Sequence, residues 1–291
     1  MLKSATLSRL QTFPASPGAR TAVHSTRASL ATLPMSAISR RTALKLSGLS
    51  LGASVLGALT VSPAAAATQP AATGPRKRTI VVIGAHPDDP ETGCGGTMAL
   101  LAAAGYDVVS VYLTRGEAGI PGTEPGEAAR VRTAEALAAC ATLQVRAEFL
   151  GQIDGQCEVT LQRYAEVQRF LEAQKPDVLF THWPVDTHAD HRACSALVYG
   201  TWINLGKPCD LFFFEVMSGV QTQIFAPTDY VDISTVLAQK HAACFAHRSQ
   251  NIESEYPASH GPMEAFRGLE AQCAHAEAFV RHVQSRGKSV I

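Results

Sequence analysis

His86, Asp88 and Asp89 stand together in the stretch Ala85-His86-Pro87-Asp88-Asp89, and His182, Asp186, His188, Asp190 and His191 crowd into residues 182–191. Imidazole nitrogens and carboxylate oxygens are ligands for zinc, and a catalytic zinc keeps one position open for water. His86 and Asp89 lie three residues apart around a proline turn and can face one point. His188 and His191 are also three apart, at a predicted helix start. Asp88 is then a spare carboxylate, placed to take a proton from a water that the metal acidifies. Asp190 can orient a neighbouring imidazole through its second nitrogen. Alone, a His-Pro-Asp turn reads more simply as a helix cap. Two such clusters, both at strand ends, point to a metal centre.

The elements that must position them follow from hydrophobic patterning. Apolar runs at Thr79–Ile83, Asp107–Leu113, Arg146–Leu150, Val178–Thr181 and Leu211–Val216 predict five strands. Between them, Thr97–Ala104, Glu127–Leu143, Leu161–Gln174 and His191–Leu205 have helical spacing. This alternation predicts an α/β, Rossmann-like fold: a mostly parallel sheet of about five or more strands with helices on both faces. Ligands in such sheets sit beyond the carboxyl ends of the strands. If the first and fourth strands are neighbours, the two polar clusters meet there. Met263–Arg281 is read as a further helix.

The chain has 291 residues, 46% hydrophobic, with equal numbers of acidic and basic groups. Residues 1–67 hold seven basic groups and no acidic ones, so the remainder is net acidic, with no nucleic-acid footprint. In that segment Ser39-Arg40-Arg41 precedes an apolar, Gly/Ala-rich run and an Ala-x-Ala site. It reads as a twin-arginine signal cleaved near Ala66/Ala67, which places the mature protein in the periplasm or outside the cell and makes the Tat export machinery a partner. Residues 68–78 read as a linker and 79–291 as one domain. The seven cysteines are scattered without a C-x-x-C pair, so neither a zinc knuckle nor a disulfide scaffold is indicated. The first turn lacks G-x-G-x-x-G, which argues against a dinucleotide site. Arg115 and Arg132 alone are too few cations for a phosphate cradle.

With its neighbours Glu91 and Gly95-Gly96-Thr97, the His-Pro-Asp-Asp stretch resembles the PIG-L/LmbE-like deacetylases. Leu113 to Gly119, Arg132-x-x-Glu135, Asp154, His188-x-Asp190-His191 and Lys240 with His247 to Gln250 follow in order. The resemblance covers roughly residues 79–250. It departs in one place: Ala189 stands where many members have proline.

The resemblance implies a zinc-dependent amidase that removes an acetyl group from an N-acetylglucosamine-type sugar or glycoconjugate. It implies His86, Asp89 and His191 as ligands of one Zn2+ (other divalent ions are possible), Asp88 as general base and a protonated His188 as oxyanion stabiliser. Asp190 would hold His188, and Arg132 and Asp154 would contact sugar. Arg132 reads equally as structural, pairing with Glu135 or another carboxylate. His247 has no assigned role. Loops Ile120–Gly126, Gln152–Glu158 and Ser218–Thr228 are expected to set specificity. Another exported zinc amidase and a non-catalytic carbohydrate-binding relative are the alternatives.

Overall fold

The structure, a computed structural model, describes residues 76–285. The expected signal segment, the expected cleavage site and most of the expected linker lie outside the described residues. Strands β1 (Thr79–Gly84), β2 (Asp107–Tyr112), β3 (Arg146–Phe149), β4 (Val178–His182) and β5 (Asp210–Phe214) alternate with helices α1 (Asp89–Ala103), α2 (Pro125–Leu143), α3 (Leu161–Gln174) and α4 (Ala189–Asn204). The chain continues through β6 (Asp229–Asp232), α5 (Leu237–Phe245), the short α6 (Ile252–Glu255), α7 (His260–Ala271) and β7 (Ala276–Arg281).

One sheet runs in the order β3-β2-β1-β4-β5-β7-β6. Strands β1 to β5 pair in parallel, and β7 joins β5 and β6 antiparallel. Alternate residues of β1 serve opposite faces. Ile80 and Val82 enter one core with Met98, Phe180 and Phe212, while Val81 and Ile83 enter the other with Leu197, Trp202 and Leu211. Burial on both faces is why these strands read as unbroken apolar runs rather than as alternation. Strands β1 and β4 are neighbours, with Ile83 level with Thr181. The strand order reverses between them, so their carboxyl ends open the crevice where such sheets bind ligands.

Two sequence readings need correction. Helix α1 starts at Asp89, not Thr97. Its glycines break the hydrophobic period but allow close approach to the sheet: a Cβ on Gly93 would lie 2.5 Å from Phe214 Cδ2. Met263–Arg281 is not one helix, because α7 ends in the left-handed Gln272 and the chain returns as β7. Ala276 and Ala278 hide the two-residue alternation that marks β7 as a strand.

Lys240 on α5 is buried between Glu264 of α7 and Glu277 of β7, each 2.8 Å from its Nζ. Glu277 also accepts the amides of Gly96 and Thr97, so the ion cluster ties α1 to the sheet edge. Lys240→Ala would leave two carboxylates buried without their cation. We expect it to destabilise the domain by about 3–5 kcal/mol, read by chemical denaturation. Burial raises the Glu264 carboxyl, but Lys240 and its hydrogen-bond donors outweigh this and hold it at about 2, below its ordinary 4.5. A depressed carboxyl stabilises fully above its unfolded value. This contribution is therefore complete above about pH 4.5 and is lost as pH falls toward 2.

Candidate metal and catalytic site

The site forms where the β1–α1 turn meets the loop that joins β4 to α4. Asp89 opens α1 and is 3% exposed. Its Oδ1 lies 3.3 Å from His191 Nε2, and its Oδ2 lies 3.3 Å from His86 Nδ1 and 3.2 Å from His182 Nε2. Three imidazoles thus surround one carboxylate. Burial raises Asp89, but His191 and His182 outweigh it and hold the group well below the usual range. Burial lowers His191, yet Asp89 and Asp186 carry it up to about 9.

The donor set suits a divalent ion bound through nitrogen and oxygen. Potential ligand atoms converge in three overlapping groups: His86, His188 and His191; Asp89, His182 and His191; and His86, Asp154 and Asp190. Hydrogen bonding separates them. His182 Nε2 accepts the Ala85 amide at 3.0 Å, and burial and His191 push its pKa down to about 4. That lone pair is spoken for, so His182 packs flat against His191, rings 4.1 Å apart, rather than ligating. His86 Nε2 is held by Asp154 at 3.1 Å and Asp190 at 3.2 Å. Its Nδ1, on the Asp89 side, remains available. His191 Nδ1 lies 3.2 Å from Asp186, which leaves its Nε2 facing Asp89. The structure thus brings the expected ligands His86, Asp89 and His191 together.

Asp190 does not hold His188 as expected. Its carboxylate contacts His86 and accepts the amide of Gly155 at 2.7 Å. Residues two apart at a helix start point in different directions, so the side chains of His188 and Asp190 diverge. Instead His188 caps α4, its Nδ1 accepting the Asp190 amide. A capping Nδ1 is unprotonated, so the proton of the neutral ring sits on Nε2. Burial and the charges of His86 and His191 lower the His188 pKa. Both observations favour a neutral His188 with its proton on Nε2 over the protonated imidazole expected. Because carboxylates fix the ligating tautomer of His86, Asp190→Ala is expected to weaken metal affinity about 10–100-fold, measured by competition with a chromogenic chelator.

Asp88 has a different setting. Its φ is +124°, a strained conformation for a non-glycine residue, and its carboxylate makes no helix-capping bond. Arg132 Nη2 donates to Asp88 Oδ2 at 2.9 Å and to the Pro87 carbonyl. Burial raises the Asp88 carboxyl above its ordinary value against the pull of Arg132. Arg132 is buried, and its Nη1 lies 3.9 Å from Asp154. It pairs with Asp88, not Glu135, which instead binds Ser249. Room for the guanidinium comes from Gly119, where a Cβ would stand 2.2 Å from Nη1.

A cavity of about 570 Å³ opens over these groups. His86, Asp88, Asp89, His188, His191 and Asp154 line one end. Asp154 faces the cavity while also binding His86 and accepting the Ala118 amide. Of the three expected specificity loops, the second contributes Asp154 and Gly155 and the third contributes Gln221, but Ile120–Gly126 contributes none. Further lining comes from Gln250, which the sequence singled out without a role, and from Ile252, Glu255, Ser259 and His260, which sequence reasoning missed. His260 is buried without a hydrogen-bond partner among the described residues, and burial and Lys240 push its pKa down to about 4. His247, also unassigned from sequence, is fully buried with Nε2 3.4 Å from Glu91. It sits beneath the site rather than in the cavity. All seven cysteines are unpaired.

Residues 81–201 match the family described as PIG-L, GlcNAc-PI de-N-acetylase. A 185-residue stretch is 29% identical to a diacetylchitobiose deacetylase of Thermococcus kodakarensis, covering 59% of this chain and 69% of that protein. A 47-residue stretch is 45% identical to the Escherichia coli uncharacterized deacetylase YaiS, covering 16% of this chain and only a quarter (25%) of that relative's length. The conserved protein TT1542 of Thermus thermophilus superposes with a TM-score of 0.62 at 29% identity, over 73% of this chain and 96% of its own. The same architecture also serves other chemistry. The 4-carboxy-2-hydroxymuconate hydratase GalB of Pseudomonas putida superposes with a TM-score of 0.63 at 21% identity, over 74% of this chain and 99% of its own.

Proposed function

We propose, on the match of residues 81–201 to the PIG-L family, that this chain is a divalent-metal, zinc-type hydrolase that releases acetate from N-acetylglucosamine-type amino sugars or glycoconjugates. One observation carries the reading. Adjacent carboxylates are set to different tasks, Asp89 buried among imidazoles and Asp88 held at the cavity wall by Arg132, outside that nest. Environments that push paired carboxyls apart in pKa mark acid and base roles. A ligand-binding relative without catalysis has no use for the strained second carboxylate.

His86, Asp89 and His191 would hold the ion. When bound, it supplies Lewis acidity, lowering the pKa of a ligated water toward neutrality and polarising the amide carbonyl. Asp88 takes the proton of the attacking water and later delivers it to the departing nitrogen, so that water and amide become acetate and amine. Neutral His188 lines the cavity and donates from Nε2 to the developing oxyanion. Arg132 fixes Asp88, and Asp154 is positioned to meet sugar hydroxyls. The test is product analysis with purified protein and N-acetylglucosamine or its disaccharide. Acetate and a primary amine in equal amounts are expected. A hydrated product, or none with the metal-loaded protein, would overturn the reading.

The twin-arginine segment supports an exported protein acting on an extracytoplasmic glycan. Fusing residues 1–75 to a folded reporter should export it, and Arg40→Lys with Arg41→Lys should block that. A cytoplasmic reporter in both cases would contradict the proposed address.

A further inference from the structure

Beside the catalytic cavity lies a second groove of about 410 Å³, between the turn after β5 and the start of α7. The two spaces share Met217 and Ser259, so they adjoin. Val220, Pro262, Met263 and Phe266 give the groove an apolar lining. Val220 is 64% and Phe266 is 54% exposed, although large apolar side chains normally seek burial. Among the described residues lining the groove, Arg267 is the one charged group. It offers no charge to a ligand, because Glu215 binds it at 2.6 and 2.7 Å and Glu270 binds it at 2.7 Å.

We infer that this groove binds an apolar, uncharged aglycone carried by the amino-sugar substrate. The inference rests on the deacetylase reading, because the adjacency of the two spaces matters only if a sugar lies in the first. With a sugar in the first space, a substituent directed past Met217 and Ser259 would reach the groove. The neutralised Arg267 disfavours a phosphate-linked sugar, which would seek an unpaired cation. Phe266, half exposed with the Arg267 guanidinium 5.4 Å from its ring centroid, offers apolar surface to an alkyl or aryl group.

The test compares methyl and hexyl glycosides of N-acetylglucosamine, as both anomers, by calorimetry on the metal-loaded full chain. The hexyl glycoside should bind at least about tenfold more tightly, since each buried methylene adds to affinity. Phe266→Ser with Val220→Ser should remove most of that preference while leaving binding of the methyl glycoside unchanged. Equal affinity of the parent for both glycosides would overturn the inference, as would a preference that survives the double substitution. If equal affinities accompany a dimer that the double substitution dissociates in sedimentation, the groove is instead a contact between copies of this chain. Acetate release from the methyl glycoside is followed separately. Its absence sinks the deacetylase reading, whereas the affinity comparison still decides what the groove holds.

Discussion

Asp88→Asn is expected to lower acetate release about a thousandfold while leaving fold and metal content intact. General-base catalysis is worth about 10²–10⁴-fold, and the other cavity carboxylate without an ion pair among the described residues, Glu255, is carried by α6 rather than by the turn that holds the ligands. Asp89 lies amid the imidazoles, and Asp154 and its partner Asp190 hold His86. Asparagine is the informative replacement. It keeps the shape and can still accept the Arg132 bond, and asparagine tolerates positive φ better than most residues, so the strained +124° backbone is not further penalised. Turnover, metal content and melting temperature should be measured on one preparation. Lost activity with retained metal assigns the proton transfer to Asp88. Parent-like turnover removes that assignment.

The second large effect separates two overlapping donor sets that both contain Asp89 and His191. His191→Ala should lose the metal and all measurable turnover, since Nε2 of His191 faces Asp89 directly at 3.3 Å. His182→Ala should keep the metal. His182 instead satisfies the Ala85 amide, and its loss leaves that buried donor unpaired, at a stability cost of about 1–3 kcal/mol. Metal analysis of the two variants, with denaturation of the second, distinguishes the roles. If His182→Ala strips the ion as completely as His191→Ala, then His182 is a ligand and its bond to Ala85 is secondary.

A cluster able to hold a metal was legible in the sequence because its members sit at short spacing on two strand ends, and the alternation of strands and helices placed those ends together; which members would ligate came only from the family resemblance. Which atom each residue uses was not legible. The true partner of Asp190 depends on the direction of the first turn of α4, and the neutral state of His188 depends on its capping bond. Asp186, behind His191, looked like one more loop aspartate. The far wall of the cavity was hidden for another reason. Ile252, Glu255 and His260 lie beyond the last motif residue, Gln250, and only the packing of α5 to α7 on the sheet brings them over the site. Arg132 could be read either way from sequence. Its burial and its bond to Asp88 join the two readings, because the same contact that braces the turn positions the base.

Acetate release from N-acetylglucosamine or its disaccharide, before and after chelation and after adding back one equivalent of Zn2+, tests the account most directly. The account predicts release that the chelator abolishes and zinc restores in the parent, with no restoration in His191→Ala. Release that persists at the parent rate after the metal is removed and its absence verified would contradict it.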